Sequence, residues 1–360
     1  MKKVFIFGYY GFKNIGDEAI LQSIVKLLKD SGEDVDIRAL SYNVKHTKKY
    51  HNIDGVSRNS LKDILNSIRK ADLVVSGGGT LLQDKTSSRS LYYYLGLIMV
   101  SKFLGKKVMF FCNGFGPIKN KINRIMTKVI IKHVDYMLIR DKLSAEKLLN
   151  LGIKEDKILP TTDATLILDE VRDDVVDRII EEEKIPKDKK LIGISVRPWN
   201  LDDRFYSEIA GFCDYVYDRG YYPVFIPMQQ EKDQNVSFKV TERMNRDAVI
   251  LQGEYTPSEL LGIIKRLDLL VGMRLHALIF ACSMNTPVIG IEYDPKIKGF
   301  LDMVNQTNIG DVKTIEKINL CLAFDELILN YDEIKQKLTF DMDNIREEAE
   351  INGIELIKML

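Results

Sequence analysis

Apolar residues are arranged along this chain in two alternating ways. Some form short runs rich in Val, Ile, Leu and Phe, bounded by Gly or charge. Elsewhere apolar positions return every three or four residues. The first pattern predicts strands buried on both faces at Val4–Phe7, Val35–Leu40, Leu73–Ser76, Val108–Cys112 and Tyr136–Ile139. The second predicts helices at about Asp17–Lys29, Leu61–Arg69 and Lys121–His133. Such alternation implies an α/β domain with a parallel sheet. A charged stretch, 169–190, interrupts it with Asp169-Glu170, Asp173-Asp174, Glu181-Glu182-Glu183 and Lys187-Asp188-Lys189-Lys190. The alternation then restarts at Leu191–Val196, Pro223–Met228, Val249–Leu251, Leu269–Val271 and Val288–Ile291. Thr256-Pro257-Ser258-Glu259 reads as a capping box that opens a helix. The expectation is an N-terminal domain over 1–168, a junction over 169–190, a second α/β domain over 191–340 and a C-terminal helix over 341–360. A chain of 360 residues suits two domains of this size.

Charge adds one feature that the pattern does not show. The formal net charge is +0, which excludes a uniformly basic nucleic-acid binder. Residues 1–168, however, hold 28 Lys and Arg against 16 Asp and Glu, and residues 169–360 hold 24 against 36, a split of +12 and −12. Either the first half meets an anionic partner or the two halves attract each other. Cys112, Cys213, Cys282 and Cys321 are widely spaced and form no C-x-x-C pair, so buried, reduced thiols in the cytoplasm are expected. No cluster has metal-ligand spacing. The apolar start of the chain is too short for a signal-peptide core. The block Leu91–Val100 falls short of the ~20 residues that span a bilayer.

Ligands of open α/β sheets bind beyond the carboxyl ends of the strands, so strand-end motifs are where chemistry is sought. Gly8-Tyr9-Tyr10-Gly11-Phe12-Lys13-Asn14-Ile15-Gly16-Asp17-Glu18 leaves the first strand and opens a helix. Its spacing is not that of a dinucleotide fingerprint. Asp17 either favours the helix dipole or holds or deprotonates a sugar hydroxyl. Ser76-Gly77-Gly78-Gly79-Thr80-Leu81-Leu82-Gln83-Asp84 is a tight turn or a close backbone approach to a ligand. Asn113-Gly114-Phe115-Gly116-Pro117 and Arg140-Asp141 end two more strands, the second consistent with a plain ion pair. In the second half, Arg197-Pro198-Trp199 ends one strand, and Gly272-Met273-Arg274-Leu275-His276-Ala277 ends another and opens a helix whose dipole opposes a cation; either Arg274 and His276 are satisfied structural residues or an anion sits at this edge. Tyr293-Asp294-Pro295-Lys296 adds a third cation. Lys121, Arg124, Lys128 and Lys132 share one helical face close in sequence to Leu91–Val100. That combination suits either an anionic bilayer surface or an ordinary solvated helix beside a core helix.

Taken in order, these motifs, with Asp163-Ala164, resemble the polysaccharide pyruvyl transferases, in particular the bacterial cell-wall CsaB type. The resemblance spans nearly the whole chain. It implies an α/β architecture of two Rossmann-like domains facing across a cleft, similar to GT-B glycosyltransferases. It implies phosphoenolpyruvate as donor, a sugar as acceptor and a cyclic pyruvate ketal as product. For the CsaB type the acceptor is an N-acetylmannosamine unit of a lipid-linked cell-wall glycan precursor, and the ketal later anchors S-layer proteins. Phosphoenolpyruvate is then a substrate, and no cofactor or metal is expected.

On this reading Arg197 and Arg274 clamp the donor's two anionic groups, with Lys296 and Leu275 on the same side. His276 is the general acid, and Asp17 or His276 itself is the base. Gly11, Asn14, Gly78, Gly79, Asp84 and Arg140 are acceptor or cleft residues. An anionic membrane surface is a candidate partner through Lys121, Arg124, Lys128 and Lys132, which would place the protein in the cytoplasm against the inner face of the membrane. The oligomeric state stays open. The alternatives are a GT-B glycosyltransferase or sugar-nucleotide epimerase using a nucleotide-sugar, and a non-catalytic glycan-binding module.

Overall fold

The computed structural model describes residues 1–85, 88–199 and 202–360. These divide into two compact units, residues 1–167 with 345–360 and residues 168–344. The first unit runs β1 (Lys2–Phe7), α1 (Ile15–Asp30), β2 (Val35–Ser41), α2 (Val44–His51), β3 (Asp54–Ser57), α3 (Leu61–Lys70), β4 (Leu73–Gly77), α4 (Ser88–Phe103), β5 (Lys107–Asn113), α5 (Lys121–Ile131), β6 (Tyr136–Ile139), α6 (Lys142–Leu151) and β7 (Ile158–Pro160). Its seven strands form one parallel sheet in the order β3-β2-β1-β4-β5-β6-β7. Successive residues of β1 serve opposite faces, as a period of two requires. Val4 and Ile6 pack with Ile20 and Ile24 of α1, while Phe5 and Phe7 pack with Leu95 and Ile98 of α4. This explains the unbroken apolar run: both sides of the strand are covered.

The second unit runs α7 (Asp173–Glu182), β8 (Lys190–Ser195), α8 (Asp203–Tyr217), β9 (Tyr221–Phe225), α9 (Gln230–Thr241), β10 (Val249–Ile250), α10 (Pro257–Lys265), β11 (Leu269–Gly272), α11 (Leu275–Ser283), β12 (Val288–Glu292), α12 (Pro295–Met303), β13 (Thr307–Asp311), α13 (Lys317–Leu329) and the start of α14 (Tyr331–Met359). Its six parallel strands follow the order β10-β9-β8-β11-β12-β13. The capping box forms as expected: the Glu259 N–H donates to Thr256 Oγ1 at 3.2 Å and the Thr256 N–H to Glu259 Oε2 at 2.7 Å. In each unit the strand order reverses once, between β1 and β4 and between β8 and β11. Connections leave these neighbouring strands toward opposite sides, which opens a crevice at their carboxyl ends.

Two boundaries differ from expectation. The charged stretch 169–190 is not a separate junction but part of the second unit. Its helix α7 buries Val176, Ile179 and Ile180, and keeps its charges outward, where Asp173 and Asp177 both pair with Arg266. The C-terminal helix starts ten residues earlier than the expected 341, at Tyr331, and its end from Ile345 belongs to the first unit. There Leu356 joins the core around Val4, and Lys2 and Lys107 donate to the carbonyls of Leu360 and Met359 at 2.8 and 3.1 Å. The four cysteines are free and buried, and burial raises all four thiol pKa values above the ordinary value.

The β1–α1 loop is locked from below. Glu18 is buried in the first turn of α1 and accepts the Gly11 N–H at 2.8 Å through Oε1. Its Oε2 lies 2.8 Å from Nε2 of His51, also buried, at the end of α2. Gly11 has φ +78°, and a Cβ there would lie 2.4 Å from Ser41 Oγ. Only glycine fits this position, because the loop turns against the end of β2. Removing one partner of a buried pair leaves the other desolvated and unmatched. Glu18→Ala should therefore destabilise the protein by about 3–5 kcal/mol, read from its chemical-denaturation midpoint. A loss below about 1 kcal/mol would mean that the pair does not hold the loop.

Candidate active site

The carboxyl edge of the second unit gathers its cations at the strand-order reversal. β8 leads to Arg197 and Trp199, and β11 leads to Arg274 and to His276 in the first turn of α11. β12 leads to Tyr293 and to Lys296 in the first turn of α12. β8 and β11 run close together, with the Met273 N–H donating to the Ser195 carbonyl at 2.9 Å. Arg197 Nη1 donates to the Tyr293 hydroxyl at 3.0 Å, and its Nε is buried with no hydrogen-bond partner among the described residues. The guanidinium lies 4.9 Å from the Tyr293 ring and 5.6 Å from the Trp199 ring, and those two rings are 4.8 Å apart. Lys296 Nζ lies 5.9 Å from the same tyrosine ring.

Tyr293 reports the field of this cluster. Burial pushes its phenol up, but the charges of Lys296, Arg197 and Arg274 and the Arg197 hydrogen bond outweigh burial, so its pKa falls below the ordinary value. Arg274 is buried and grips Asp233 at two points, with Nε 2.8 Å from Oδ2 and Nη2 on Oδ1. Arg274 is also the N-cap residue of α11 and supplies no side-chain cap, so this helix start offers N–H groups to an anion. α12 differs, because Asp294 accepts the Lys296 N–H at 3.3 Å. His276 is half-buried beside Phe280, with ring centroids 6.5 Å apart. An orphaned guanidinium N–H, three cations and an uncapped helix together fit a small ligand carrying more than one negative charge.

In the first unit, Gly11, Asn14, Asp17, Gly78 and Gly79 come together at the β1/β4 reversal. Asn14 Oδ1 accepts the Gly16 N–H at 3.3 Å as the N-cap of α1. Gly78 and Gly79 have φ +59° and +65°. A Cβ on Gly78 would lie 2.3 Å from Ile20 Cγ2, and one on Gly79 would lie 3.1 Å from Asp17 Oδ1. The triple glycine thus turns against α1 and delivers its backbone beside the Asp17 carboxylate. Arg140 is buried at the end of β6 and pairs with Asp163 at 3.3 Å and Asp141 at 3.8 Å. Asp84 is tied to the start of α5, accepting N–H groups of Lys119 and Asn120 at 2.8 and 3.0 Å and the Asn123 amide at 3.0 Å. Partial burial acts upward on its carboxyl, but these donors outweigh it and hold the pKa below the usual range.

Several residues at these edges gave little signal in the sequence. Asp233 lies in a polar helix, and nothing local marks it as the partner of Arg274. Tyr9, Phe12 and Tyr42 form a stack at the ends of β1 and β2, with centroid distances of 4.1 and 4.7 Å. Arg58 lies 5.2 Å from Phe12 and 5.0 Å from Tyr93. Burial first, then the Asp17 charge, raise the Tyr9 phenol against the opposing Arg58.

Helix α5 carries its polarity inside out. Asn123 and Thr127 face inward, with Asn123 Oδ1 accepting from the Tyr92 hydroxyl at 2.7 Å. Ile122, Ile125 and Val129 face outward among Lys121, Arg124, Lys128 and Lys132. The block Leu91–Val100 is mainly core: Leu91, Leu95, Leu97 and Ile98 are buried, whereas Met99 and the following Phe103 (90% exposed) are outside. Among the described residues no helix is long and apolar enough to cross a membrane.

The profile of the polysaccharide pyruvyl transferase family matches residues 14–295. The amylovoran biosynthesis protein AmsJ of Erwinia amylovora is 21% identical over 297 residues, covering 77% of this chain and 70% of AmsJ. Among solved structures, the Anabaena HepE complex with UDP-glucose is similar at a TM-score of 0.68 and 10% identity, over 99% of both chains. The Neisseria meningitidis UDP-GlcNAc 2-epimerase bound to UDP-GlcNAc gives 0.65 at 16% identity, over 99% of this chain and 100% of the epimerase. The Staphylococcus aureus MnaA–UDP co-structure gives 0.63 at 15% identity, over 96% and 95%. At such identities these structures speak for the fold alone, which is GT-B-like. The family match takes in most of the sequence, from the Asn14 cap to Pro295 beside the cation cluster, and so the chain belongs to the polysaccharide pyruvyl transferase family.

Proposed function

We propose that this protein transfers the pyruvyl group of phosphoenolpyruvate to a sugar and closes it into a cyclic ketal on two hydroxyls. The observation that carries the reading is the convergence of Arg197, Arg274, Lys296 and the uncapped start of α11 on one sheet edge. Phosphoenolpyruvate presents a carboxylate and a phosphate on one small frame, and that edge offers donors to both. His276 acts as general acid and protonates the methylene carbon, which leaves the central carbon electrophilic. A sugar hydroxyl adds there, its proton passing to the imidazole that has just given one up. The bond from the central carbon to the phosphate oxygen breaks, phosphate departs and the second hydroxyl closes the ring. Of the two hydroxyl protons, one balances the new methyl group and the other leaves with phosphate. No resident cofactor or metal takes part in this scheme.

The acceptor in this proposal is an amino-sugar unit, N-acetylmannosamine, of a lipid-linked cell-wall glycan precursor, and its ketal serves S-layer anchoring. The polysaccharide pyruvyl transferase family, together with AmsJ, a relative named for amylovoran biosynthesis, supports a glycan role. A lipid-linked acceptor places the enzyme in the cytoplasm, on the inner face of the membrane. The outward isoleucines and lysines of α5 support that placement, since apolar side chains amid basic ones suit an anionic bilayer surface.

Phosphate release from phosphoenolpyruvate, with and without the lipid-linked N-acetylmannosaminyl disaccharide, tests the reaction. We expect acceptor-dependent release that falls about 10²–10⁴-fold in His276→Ala. Stabilisation by a UDP-sugar but not by phosphoenolpyruvate would favour a nucleotide-sugar enzyme instead. Vesicle co-sedimentation tests the placement. At low salt, anionic vesicles should bind the protein, and K121E/R124E/K128E should weaken that binding at least tenfold, each basic residue contributing about 1 kcal/mol. Equal binding to neutral and anionic vesicles would refute a charge-led association.

A further inference from the structure

The two guanidiniums of the second unit are anchored by different chemistry. Arg274 is gripped by a carboxylate. Asp233 is fully buried, and its Oδ2 also accepts the N–H groups of Met228 and Gln229 at 3.0 and 2.9 Å, so it is fixed before any ligand arrives. This grip takes the Nε–Nη2 edge of Arg274 and cancels its charge locally. The other edge, Nη1 with the second N–H of Nη2, makes no hydrogen bond among the described residues. Arg197 is anchored instead by a phenol hydroxyl, which leaves its charge uncancelled. Neither Arg197 nor Lys296 has a carboxylate within salt-bridge distance among the described residues, and the Arg197 Nε remains without a partner.

We infer that Asp233 and Tyr293 are positioning residues that divide the donor between the two guanidiniums, with phosphate held by Arg197 and Lys296 and carboxylate by Arg274. The inference rests on the phosphoenolpyruvate reading and deepens it. Coulomb attraction scales with the product of charges, so the more highly charged phosphate favours the two uncompensated cations. Its several terminal oxygens can meet the Arg197 Nε and the Lys296 ammonium together. A carboxylate is planar and singly charged, and the outer fork of a guanidinium already held in plane matches it with two parallel hydrogen bonds.

The test uses the full chain and two fragments of the donor, inorganic phosphate and pyruvate, each competing with phosphoenolpyruvate in a thermal-shift titration. In Tyr293→Phe the ring contacts to Trp199 and Lys296 persist and only the hydroxyl is lost. Phosphate competition should weaken about tenfold while pyruvate competition stays within about twofold of wild type. In Asp233→Asn the pattern should reverse. Should that variant fail to fold, as circular dichroism would show, Tyr293→Phe alone decides.

A second readout is spectroscopic. The alkaline absorbance difference between wild type and Tyr293→Phe isolates one phenol, and saturating phosphate should raise its titration midpoint more than saturating pyruvate does, because phosphate neutralises the cations around it. Swapped effects, or equal effects of both fragments, would overturn the division. So would stabilisation by phosphoenolpyruvate with no competition from either fragment, since the site would then read the donor only as a whole. If phosphoenolpyruvate itself does not stabilise the wild type, the donor reading fails rather than the division.

Discussion

Everything chemical in this molecule depends on parallel strand pairing. Strands that all run the same way bring all their carboxyl ends to one edge, and a single reversal of strand order opens a gap there. In the second unit that gap is flanked by β8 and β11, which place Arg197 and Arg274 just beyond the ends of neighbouring strands although they lie far apart in the chain. Long side chains at a sheet edge would ordinarily wander in solvent. Here each is tied at a different point, one to a phenol and one to a buried carboxylate, so the entropy of ordering them is already spent when a ligand arrives.

The first unit uses the same geometry with a different lining. Its reversal point carries glycine backbone, a carboxylate and stacked aromatic rings rather than a group of cations. The glycines are required chiefly because the loops press on α1 and on the end of β2. What they bring beside Asp17 is bare backbone, buried at Gly78 and Gly79. The two units thus share a topology and diverge in chemistry, as folds that host many functions do. The charge split persists in the folded units. The last helical turns, residues 345–360, bring 2 basic and 4 acidic residues to the first unit and reduce its excess from +12 to +10.

What was legible from sequence follows burial. β1, β4, β5, β8, β11 and β12 are covered on both faces, and their unbroken apolar runs announced them. β3, β7 and β13 have mostly half-exposed residues and carry no such run, so the alternation passed over them. Arg197, Arg274, His276 and Lys296 were readable because a cation at a strand end before a helix is locally unfavourable. Asp233 was not readable, because its role is defined by a partner 41 residues away that only the tertiary fold supplies. The run Leu91–Val100 shows the limit of composition: helical rotation sends most of it inward and leaves only part of it facing out.

Helix α5 has a consequence for how such a protein can change over time. Its attachment to the unit runs through Asn123, Thr127 and Ile131, and Asn123 binds the same Asp84 that fixes the preceding loop. Its outward apolar residues, Ile122 at 73% and Ile125 at 65% exposure, are largely solvent-facing. Stability and surface character are therefore encoded by separate residues of one helix. A lineage could retune what this face touches, residue by residue, without disturbing the sheet edges.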